Sequence, residues 1–253
     1  KKLARYMKFS NVVAVGECGL DYNRMFSTKE QQKECFEALL QLAVETQKPV
    51  FIHERDAFDD TIELLDKYAS DLKDVVIHCF TGTEKEVKEY VKRGFYIGIT
   101  GWITDRKRNE DLVKAVKHIP LDKLLVETDC PFLAPRQLRN VRRNEPKYLA
   151  YVLEGTAKHM GVTTEALCKQ TLENSIKFFN LHPTVTLNST FVTKLTELQN
   201  NNQNNNQSYN NQSYNNQSYN TRRSYSSRND DGDNDSKPRF SRYGGDRDNS
   251  RSR

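Results

Sequence analysis

Four side chains of the kinds that bind metal ions each close a short apolar run of the chain. Glu17 and Asp129 supply carboxylates, and His53 and His78 supply imidazoles. Imidazole together with carboxylate suits divalent ions such as Zn²⁺, Mn²⁺ or Mg²⁺. A centre with two such ions can activate water and stabilise the leaving group of a phosphodiester. The residue types therefore predict a hydrolytic metal site, provided that the fold brings the four side chains together.

The apolar runs before these residues predict short buried strands. Each run is rich in Val and Ile, which is typical of parallel strands covered on both faces. Parallel strands of an α/β protein end on one face, where ligands bind. A single strand histidine is more often a core residue, but four polar residues at four strand ends favour a ligand set. The predicted strands are Val12–Glu17, Pro49–His53, Val75–Phe80, Tyr96–Ile99 and Leu124–Asp129.

Helical patterns fill the gaps between these strands. Ser27 and Glu30 have the spacing of a capping box. Thr83 and Glu86 repeat that spacing, and a last helix is expected over about 163–179. Five strand–helix units predict an α/β fold with a parallel sheet, either open and doubly wound or part of a TIM (β/α)8 barrel. A barrel uses about 250 residues for eight units, about 31 each, and the five units fit that spacing.

Several residues near the strand ends are candidates for supporting roles. Glu127 is expected to bind metal, to orient a water or an imidazole, or to pair with a basic residue. Asp21 is expected to stabilise a turn over the site. Arg55 and Arg143 are predicted to bind a substrate phosphate, with a surface charge as the alternative for each. Trp102 could stack a base, but a core or rim position is favoured.

The composition changes sharply near residue 199. Between 199 and 220, 16 of 22 residues are Asn or Gln, which leaves too few aliphatic groups to offset the entropy of ordering. We predict a hydrolase domain over 1–182, a transition segment over 183–198 and a disordered Asn/Gln/Ser/Tyr/Arg-rich tail over 199–253. The tail is expected to bind nucleic acid or self-associate, with a solvated spacer as the alternative.

Net charge, hydropathy and cysteine content limit the partners and the cellular compartment that we expect for this protein. Of the net charge of +5, +3 lies in residues 199–253, and the charge of about +2 on the rest is too small to indicate nucleic-acid binding by itself. The apolar runs fall well short of the roughly 20 residues of a membrane-spanning helix, so we expect no membrane partner. Five scattered cysteines predict free thiols in a reducing compartment, the cytoplasm or alternatively the nucleus. Cys79 and Cys130 are expected to point away from the metals.

Six segments of the chain, taken together and in order, carry a resemblance to a known family. They are GECGLDYNRMFST (Gly16–Thr28), FIHERDA (Phe51–Ala57), VIHCFTGT (Val76–Thr83), YIGITGW (Tyr96–Trp102), ETDCPFLAPR (Glu127–Arg136) and RRNEP (Arg142–Pro146). Together they resemble the TatD-type metal-dependent deoxyribonucleases, and the resemblance extends over about 11–181. It implies an amidohydrolase-like TIM barrel, with about five of the eight βα units present, and 3′–5′ exonuclease activity on DNA, on single strands or 3′ ends, in repair or fragmentation.

The resemblance also implies roles for single residues. The family's metal ligands fall on Glu17, His53, His78 and Asp129, which implies two divalent ions (Mg²⁺, Mn²⁺ or Zn²⁺). Asp129 and Glu17 are the expected catalytic residues, with Asp129 helping to activate water. Members of the family begin with three further βα units, and many have a His-x-His motif on the first strand. Neither is present here, so we predict an N-terminally incomplete copy.

Two other functions stay open at this point. The chain could be a catalytically impaired remnant that acts as a nucleic-acid-binding or interaction protein through its tail. It could also be a hydrolase of the same fold with a different substrate, such as a cyclic amide or a phosphoester. Metal-dependent cleavage of single-stranded DNA would favour the nuclease over both.

Overall fold

Five parallel strands form the central sheet of the computed structural model, which describes residues 2–138 and 141–181. Neighbours in the sheet follow the order of the chain, and every pair is parallel. A doubly wound sheet reverses its order at a switch point, so this sequential order is that of consecutive units of a (β/α)8 barrel. The strands are β1 (Val15–Asp21), β2 (Val50–Arg55), β3 (Val75–His78), β4 (Tyr96–Ile99) and β5 (Leu124–Val126).

One short helix precedes the first strand, and the other helices connect the strands or follow the last one. Single turns of 3₁₀ helix occur at Gly101–Thr104, Val116–His118, Leu121–Lys123 and Pro146–Tyr148. Within the described ranges, every helix is too short or too polar to cross a membrane. The helices are α1 (Lys2–Tyr6), α2 (Lys29–Thr46), α3 (Phe58–Tyr68), α4 (Glu84–Lys92), α5 (Glu110–Ala115), α6 (Leu149–Met160) and α7 (Thr164–Phe178).

Capping boxes begin two of these helices. At the start of α2, the Thr28 hydroxyl accepts from the Gln31 backbone N–H and the Gln31 side chain accepts from that of Thr28. This capping box lies one residue later than predicted, because Thr28 is the residue that takes the extended backbone of a cap. The box predicted on Thr83 and Glu86 is confirmed at the start of α4.

The alternation of side chains divides the sheet into two faces. Residues of a strand point alternately to opposite sides, so one face carries a row of apolar side chains, Phe51, Val76, Tyr96 and Leu125. Phe178 of α7 packs on this row, with its ring 5.1 Å from that of Tyr96. The opposite face contributes the larger core, with residues such as Ile52, Ile77, Ile97 and Leu124.

A polar layer lies above the apolar row, two residues further along each strand. It consists of His53, His78, Gly98 and, just beyond the end of β5, Glu127. His53 and His78 are direct partners in the pairing of β2 with β3. The ring of Phe51 lies 4.9 Å from that of His78, so the apolar row supports the imidazole from below. The register of the sheet therefore places polar side chains of adjacent strands at one level.

β1 differs from its prediction in a way that affects Glu17. The strand continues through Asp21 instead of ending at Glu17. Gly16 and Cys18 pair with successive residues of β2, so Glu17 is left out of the ladder as a β-bulge. Bulges re-aim side chains and often occur beside active sites, and this one turns Glu17 out of the regular alternation.

Two other strands end earlier than predicted, and β2 ends later, at Arg55. β3 ends at His78 and β5 at Val126, and a residue with positive φ follows soon after each, Cys79 at 47° and Asp129 at 52°. These left-handed conformations are uncommon for residues other than glycine and occur often at functional sites. Asp129 therefore belongs to the loop after β5. All five cysteines are free, as predicted.

Asn174 of α7 fastens the last helix to β5. Its side-chain nitrogen donates to the carbonyls of Leu121 and Leu124, at 2.7 and 2.8 Å. Its side-chain oxygen accepts from Gln170 at 3.0 Å. Because Asn174 is buried, these bonds are shielded from water and fix where α7 lies on the sheet.

Replacing Asn174 by Ala should destabilise the protein by about 1–3 kcal/mol, since two buried carbonyls lose their donor. Urea unfolding of the full chain measures this change, with an unaltered m-value expected. Glu173→Ala is the matched control, because Glu173 is exposed on the same helix and should change stability by less than about 0.5 kcal/mol. Equal midpoints for the two variants would contradict the role of Asn174.

Candidate metal centre

The four predicted ligands meet at the carboxyl end of the sheet. Glu17 Oε1 lies 2.9 Å from His53 Nδ1 and 3.8 Å from His78 Nε2. Asp129 Oδ1 lies 3.8 Å from His78 Nε2. Possible ligand atoms of Glu17, His53 and His78 all lie within 4.8 Å of one another, and His78 belongs to a second such group with Cys79 and Asp129. The fold thus gathers the residues that the sequence singled out.

The donor set fits a divalent cation. Two imidazoles and two carboxylates are the ligand types that Zn²⁺ and Mn²⁺ accept. The side chain of His78 is only 7% exposed, whereas that of Glu17 is 51% exposed. The centre is therefore anchored in the sheet on one side and open to a substrate on the other.

Glu127 fixes the orientation of His78. One of its carboxylate oxygens lies 2.6 Å from His78 Nδ1, and the other accepts from the Cys79 backbone N–H at 3.0 Å. An ionised carboxylate can only accept, so the Nδ1 proton of His78 points to Glu127 and the Nε2 lone pair faces Glu17 and Asp129. Carboxylates of this kind set the tautomer of metal-binding histidines. Of the roles considered from sequence, the structure supports the orienting one.

A glycine makes room for this carboxylate. Gly98 of β4 stands between His78 and Glu127 in the polar layer, and a Cβ built on it would lie 1.7 Å from Glu127 Oε1. Any side chain at this position would thus overlap the carboxylate. The absence of a side chain at Gly98 is therefore a requirement of the Glu127–His78 pair.

Asp21 supports the second imidazole. Its Oδ2 lies 3.0 Å from His53 Nε2, on the side of the ring opposite to Glu17. Its Oδ1 accepts from the backbone N–H groups of Asn23 and Arg24, at 3.0 and 2.7 Å. The expected turn-stabilising role is present, and the contact with His53 adds a second one.

The carboxylates and imidazoles shift one another's pKa. The hydrogen bond with His53 holds the pKa of Glu17 below its ordinary value. Contacts with Glu17 and Asp21 raise the pKa of His53 in spite of its burial. Burial raises the pKa of Asp129, and the nearby charges of Glu127 and Glu17 add to this effect. The carboxylates therefore favour the protonated form of the His53 ring, and because an imidazole binds a metal in its neutral form, protons compete with a cation for this ring.

Cys79 was predicted to point away from the metals, but its thiol faces the cluster. Its Sγ lies within 4.8 Å of ligand atoms of His78 and Asp129, because the positive φ of Cys79 breaks the strand alternation. Burial raises the pKa of this thiol to about 12, and Sγ lies 3.3 Å from the Thr100 hydroxyl. A protonated thiol is a poor ligand, so the donor set stays imidazole and carboxylate.

The arginines predicted to bind substrate lie in different surroundings. Arg55, half-buried, ends β2 on the same strand face as His53 by alternation. Arg143 is exposed in the loop after β5. Its neighbour Arg142 lines a cleft between that loop and the loop after β4, whereas Arg143 is not part of the cleft wall. The sequence offered no periodicity that could have separated these adjacent arginines.

Comparisons with a family model and with individual proteins both relate this chain to TatD-type nucleases. The model of a family described as TatD-related DNase matches residues 1–180. The chain is 47% identical over 173 residues to the 3′-5′ ssDNA/RNA exonuclease TatD of Citrobacter rodentium, covering 67% of this chain and 66% of that protein. The protein of the same name from Salmonella typhimurium is 45% identical over equal shares. The chain thus spans just under two thirds of the length of these relatives.

Solved structures give the same picture of the fold. The TatD homologue YJJV from Escherichia coli K12 superimposes with a TM-score of 0.65 at 27% identity, covering 72% of this chain and 70% of that one. A TatD family hydrolase from Entamoeba histolytica gives a TM-score of 0.60 at 28% identity, over 66% and 63% of the two chains. The predicted α/β fold, a sheet with the strand order of part of a TIM barrel, is confirmed.

Glu127→Gln should weaken binding of Mn²⁺ about 10- to 100-fold. The amide oxygen would keep the bond from Cys79, leaving the NH₂ group to face His78 Nδ1. That ring nitrogen would then have to accept, which moves the imidazole proton onto Nε2, where the ion binds. Isothermal titration calorimetry measures the affinity. Glu110→Gln, a change on the exposed surface of α5, is the control, and equal affinities in both variants would argue against this role.

Gly98→Ala should reduce Mn²⁺ affinity by a similar factor, because the added methyl group displaces the Glu127 carboxylate. The double variant with Glu127→Gln should then lose little more than either single variant, since both act on one contact. Calorimetry of the three variants tests this coupling. Losses that simply add would show that Gly98 acts through some other contact.

Proposed function

Because the chain belongs to the TatD-related DNase family, we propose that it is a divalent-metal-dependent exonuclease that removes nucleotides from the 3′ end of single-stranded DNA. The observation that carries this proposal is the cluster of Glu17, His53, His78 and Asp129 at the carboxyl end of the sheet. Similar proteins named as 3′-5′ ssDNA/RNA exonucleases support the polarity and a single-stranded substrate, and extend the candidates to RNA.

The proposed ligands are the two imidazoles and the two carboxylates of the cluster. When bound, a divalent ion offsets charge on the phosphodiester and acidifies water. His78 offers Nε2 while Glu127 holds its Nδ1 proton. His53 offers Nδ1 on the side of Glu17, while Asp21 holds the opposite edge of its ring. These two supporting carboxylates keep the imidazoles in place between turnovers.

Asp129 is the proposed general base. The pKa of Asp129 is raised above that of an ordinary aspartate, so its carboxylate is a stronger base. A stronger base takes up a proton from water more readily. As the water oxygen bonds to phosphorus, its proton passes to Asp129 and the bond from phosphorus to the leaving 3′ oxygen breaks. That oxygen departs with the bonding electron pair and takes up a proton from solvent. Glu17, half-exposed beside His53, is placed to assist as the second catalytic carboxylate.

Arg55 and Arg143 are the proposed phosphate-binding side chains outside the cluster. Both would contact the nucleic-acid backbone through their guanidinium groups. The position of Arg55 on the face of His53 supports its role near the scissile phosphate. The proposed role of Arg143 is supported only by its position in the loop after β5.

The number and identity of the ions are part of the proposal. We expect two ions, Mg²⁺, Mn²⁺ or Zn²⁺. His78 is shared by the two ligand groups, yet its Nε2 can bind one ion only. A second ion would thus depend mainly on carboxylates, which favours Mg²⁺ or Mn²⁺ over Zn²⁺ at that position.

The domain boundaries also stay proposals. We propose a hydrolase domain over 1–182, followed by the transition segment at 183–198 and the tail at 199–253. The predicted roles of the tail in nucleic-acid binding or self-association fall outside the described residues. The five free cysteines support action in a reducing compartment such as the cytoplasm.

Asp129→Asn should lower the rate of metal-dependent cleavage by about 10²–10⁴-fold, because the amide cannot accept the proton from water. The assay uses single-stranded DNA labelled at its 5′ end with added Mg²⁺ or Mn²⁺, in which 3′–5′ digestion gives a ladder of progressively shorter labelled products. EDTA should abolish the products. Asp111→Asn, an exposed acid of α5, is the matched control. Cleavage that persists with EDTA or in Asp129→Asn would overturn the proposal.

A further inference from the structure

A cleft of about 320 Å³ opens between the loops that follow β4 and β5. Trp102, Asp105 and Arg108 line it from the first loop. Leu133, Arg136 and Arg142 line it from the second. The cleft contains none of the proposed metal ligands, so it is a separate feature of the surface.

The cleft is nevertheless built on the loop that carries Asp129. Phe132 donates its backbone N–H to the Asp129 carbonyl, and Leu133 follows directly. The backbone of Leu133 packs so closely on Gly101 that a Cβ there would lie 2.0 Å from the Leu133 carbonyl oxygen. Arg136 donates its backbone N–H to the Thr104 hydroxyl at 2.9 Å. These contacts join the cleft wall to the segment that positions the proposed base.

Asp105 organises the positive charge of the cleft. Its side chain is 8% exposed, and its Oδ2 accepts from Nε of Arg108 and of Arg136 at 2.9 and 3.0 Å. Nη2 of each guanidinium also lies close to this oxygen, at 2.7 and 3.0 Å. Within the described chain this leaves Nη1 of each guanidinium for another acceptor. Arg142 adds a third cation, without a described partner. Three guanidinium groups and one carboxylate give the cleft a net positive charge, which favours binding of an anion.

Trp102 supplies a flat wall in a fixed orientation. Its indole N–H donates to the Arg108 carbonyl at 3.1 Å. The Arg108 guanidinium lies over its ring, 4.1 Å from the centroid. Both the ring and the guanidinium are planar groups on which a nucleobase can stack.

We infer that this cleft binds one nucleotide unit of the substrate strand, with the base stacked against the Trp102–Arg108 pair and the phosphate held by Arg136 and Arg142. The inference rests on the proposed function for its choice of ligand. An inorganic anion would use the arginines alone, whereas the adjoining aromatic wall matches the base of a nucleotide. The volume lies at the lower end of the range for ligand pockets, about 300–1,000 Å³, as expected for a single unit.

Fluorescence can report on this cleft directly, because Trp102 is the single tryptophan of the chain. The full chain, kept free of metal with EDTA, is titrated with deoxyadenosine 5′-monophosphate. A saturable change in tryptophan emission that weakens with added salt is the expected result. Deoxyadenosine and inorganic phosphate are titrated separately and should each bind at least tenfold more weakly. No change with the nucleotide, or equal binding of phosphate alone, would overturn the inference.

Variants separate the cleft from general surface charge. Arg142→Gln should weaken nucleotide binding about tenfold, the effect of losing one charged hydrogen bond. Arg136→Gln should do the same, while Asp105 keeps its pairing with Arg108. Arg106→Gln is the matched control, because Arg106 is exposed in the same loop but does not line the cleft. An equal loss in Arg106→Gln, or a larger loss in Arg143→Gln than in Arg142→Gln, would contradict the assignment.

The two proposals fail in different ways. Metal-dependent cleavage of single-stranded DNA without any fluorescence response to the nucleotide would leave the nuclease intact and remove the subsite. A response without cleavage would leave a nucleotide-binding cleft and remove the nuclease. If both hold, Arg142→Gln should raise KM for the oligonucleotide several-fold with little change in kcat, as expected for a contact remote from the reacting bond.

Discussion

The direct pairing of His53 with His78 across β2 and β3 is the constraint on which the rest of the site depends. Side chains of a strand alternate between faces, so this register places both imidazoles on one face and at one level. A slip by one residue would send one of them to the opposite face. The apolar row beneath, from Phe51 to Leu125, holds the register because it is buried against Phe178. The packing of the apolar row against Phe178 therefore fixes the positions of the two imidazoles that lie above it.

Two deviations from regular strand geometry complete the cluster. The bulge at Glu17 turns a carboxylate out of β1 towards the imidazoles. The left-handed backbone at Asp129 brings a second carboxylate towards His78 from the loop after β5. Regular strands alone would supply the histidines but not both acids. Local backbone irregularity is therefore as important for the donor set as the sheet itself.

The loop after β5 links the two functional regions. Asp129 lies at its start, and Leu133, Arg136 and Arg142 form one wall of the cleft further along. Trp102 and Arg108 face them from the loop after β4. In (β/α) barrels the sheet serves as a rigid base, and the loops at its carboxyl end carry specificity. Here the same division separates the candidate metal centre, close to the strands, from the inferred nucleotide cleft in the loops.

The residue pattern alone predicted five parallel strands and the four candidate metal ligands, because apolar runs that end in His, Glu or Asp carry a local signal. The same pattern singled out Glu127, because it lies two positions before Asp129 and so on the same side of an extended strand. The role of Glu127 became clear only in the folded chain, because its contact with His78 needs the space that Gly98 leaves on the neighbouring strand. The pairing of Asp105 with arginines of two loops is likewise visible only in the structure. So is the fact that Arg142 lines the cleft and Arg143 does not. Such contacts depend on how distant segments approach one another in space, and no local pattern of residues encodes that.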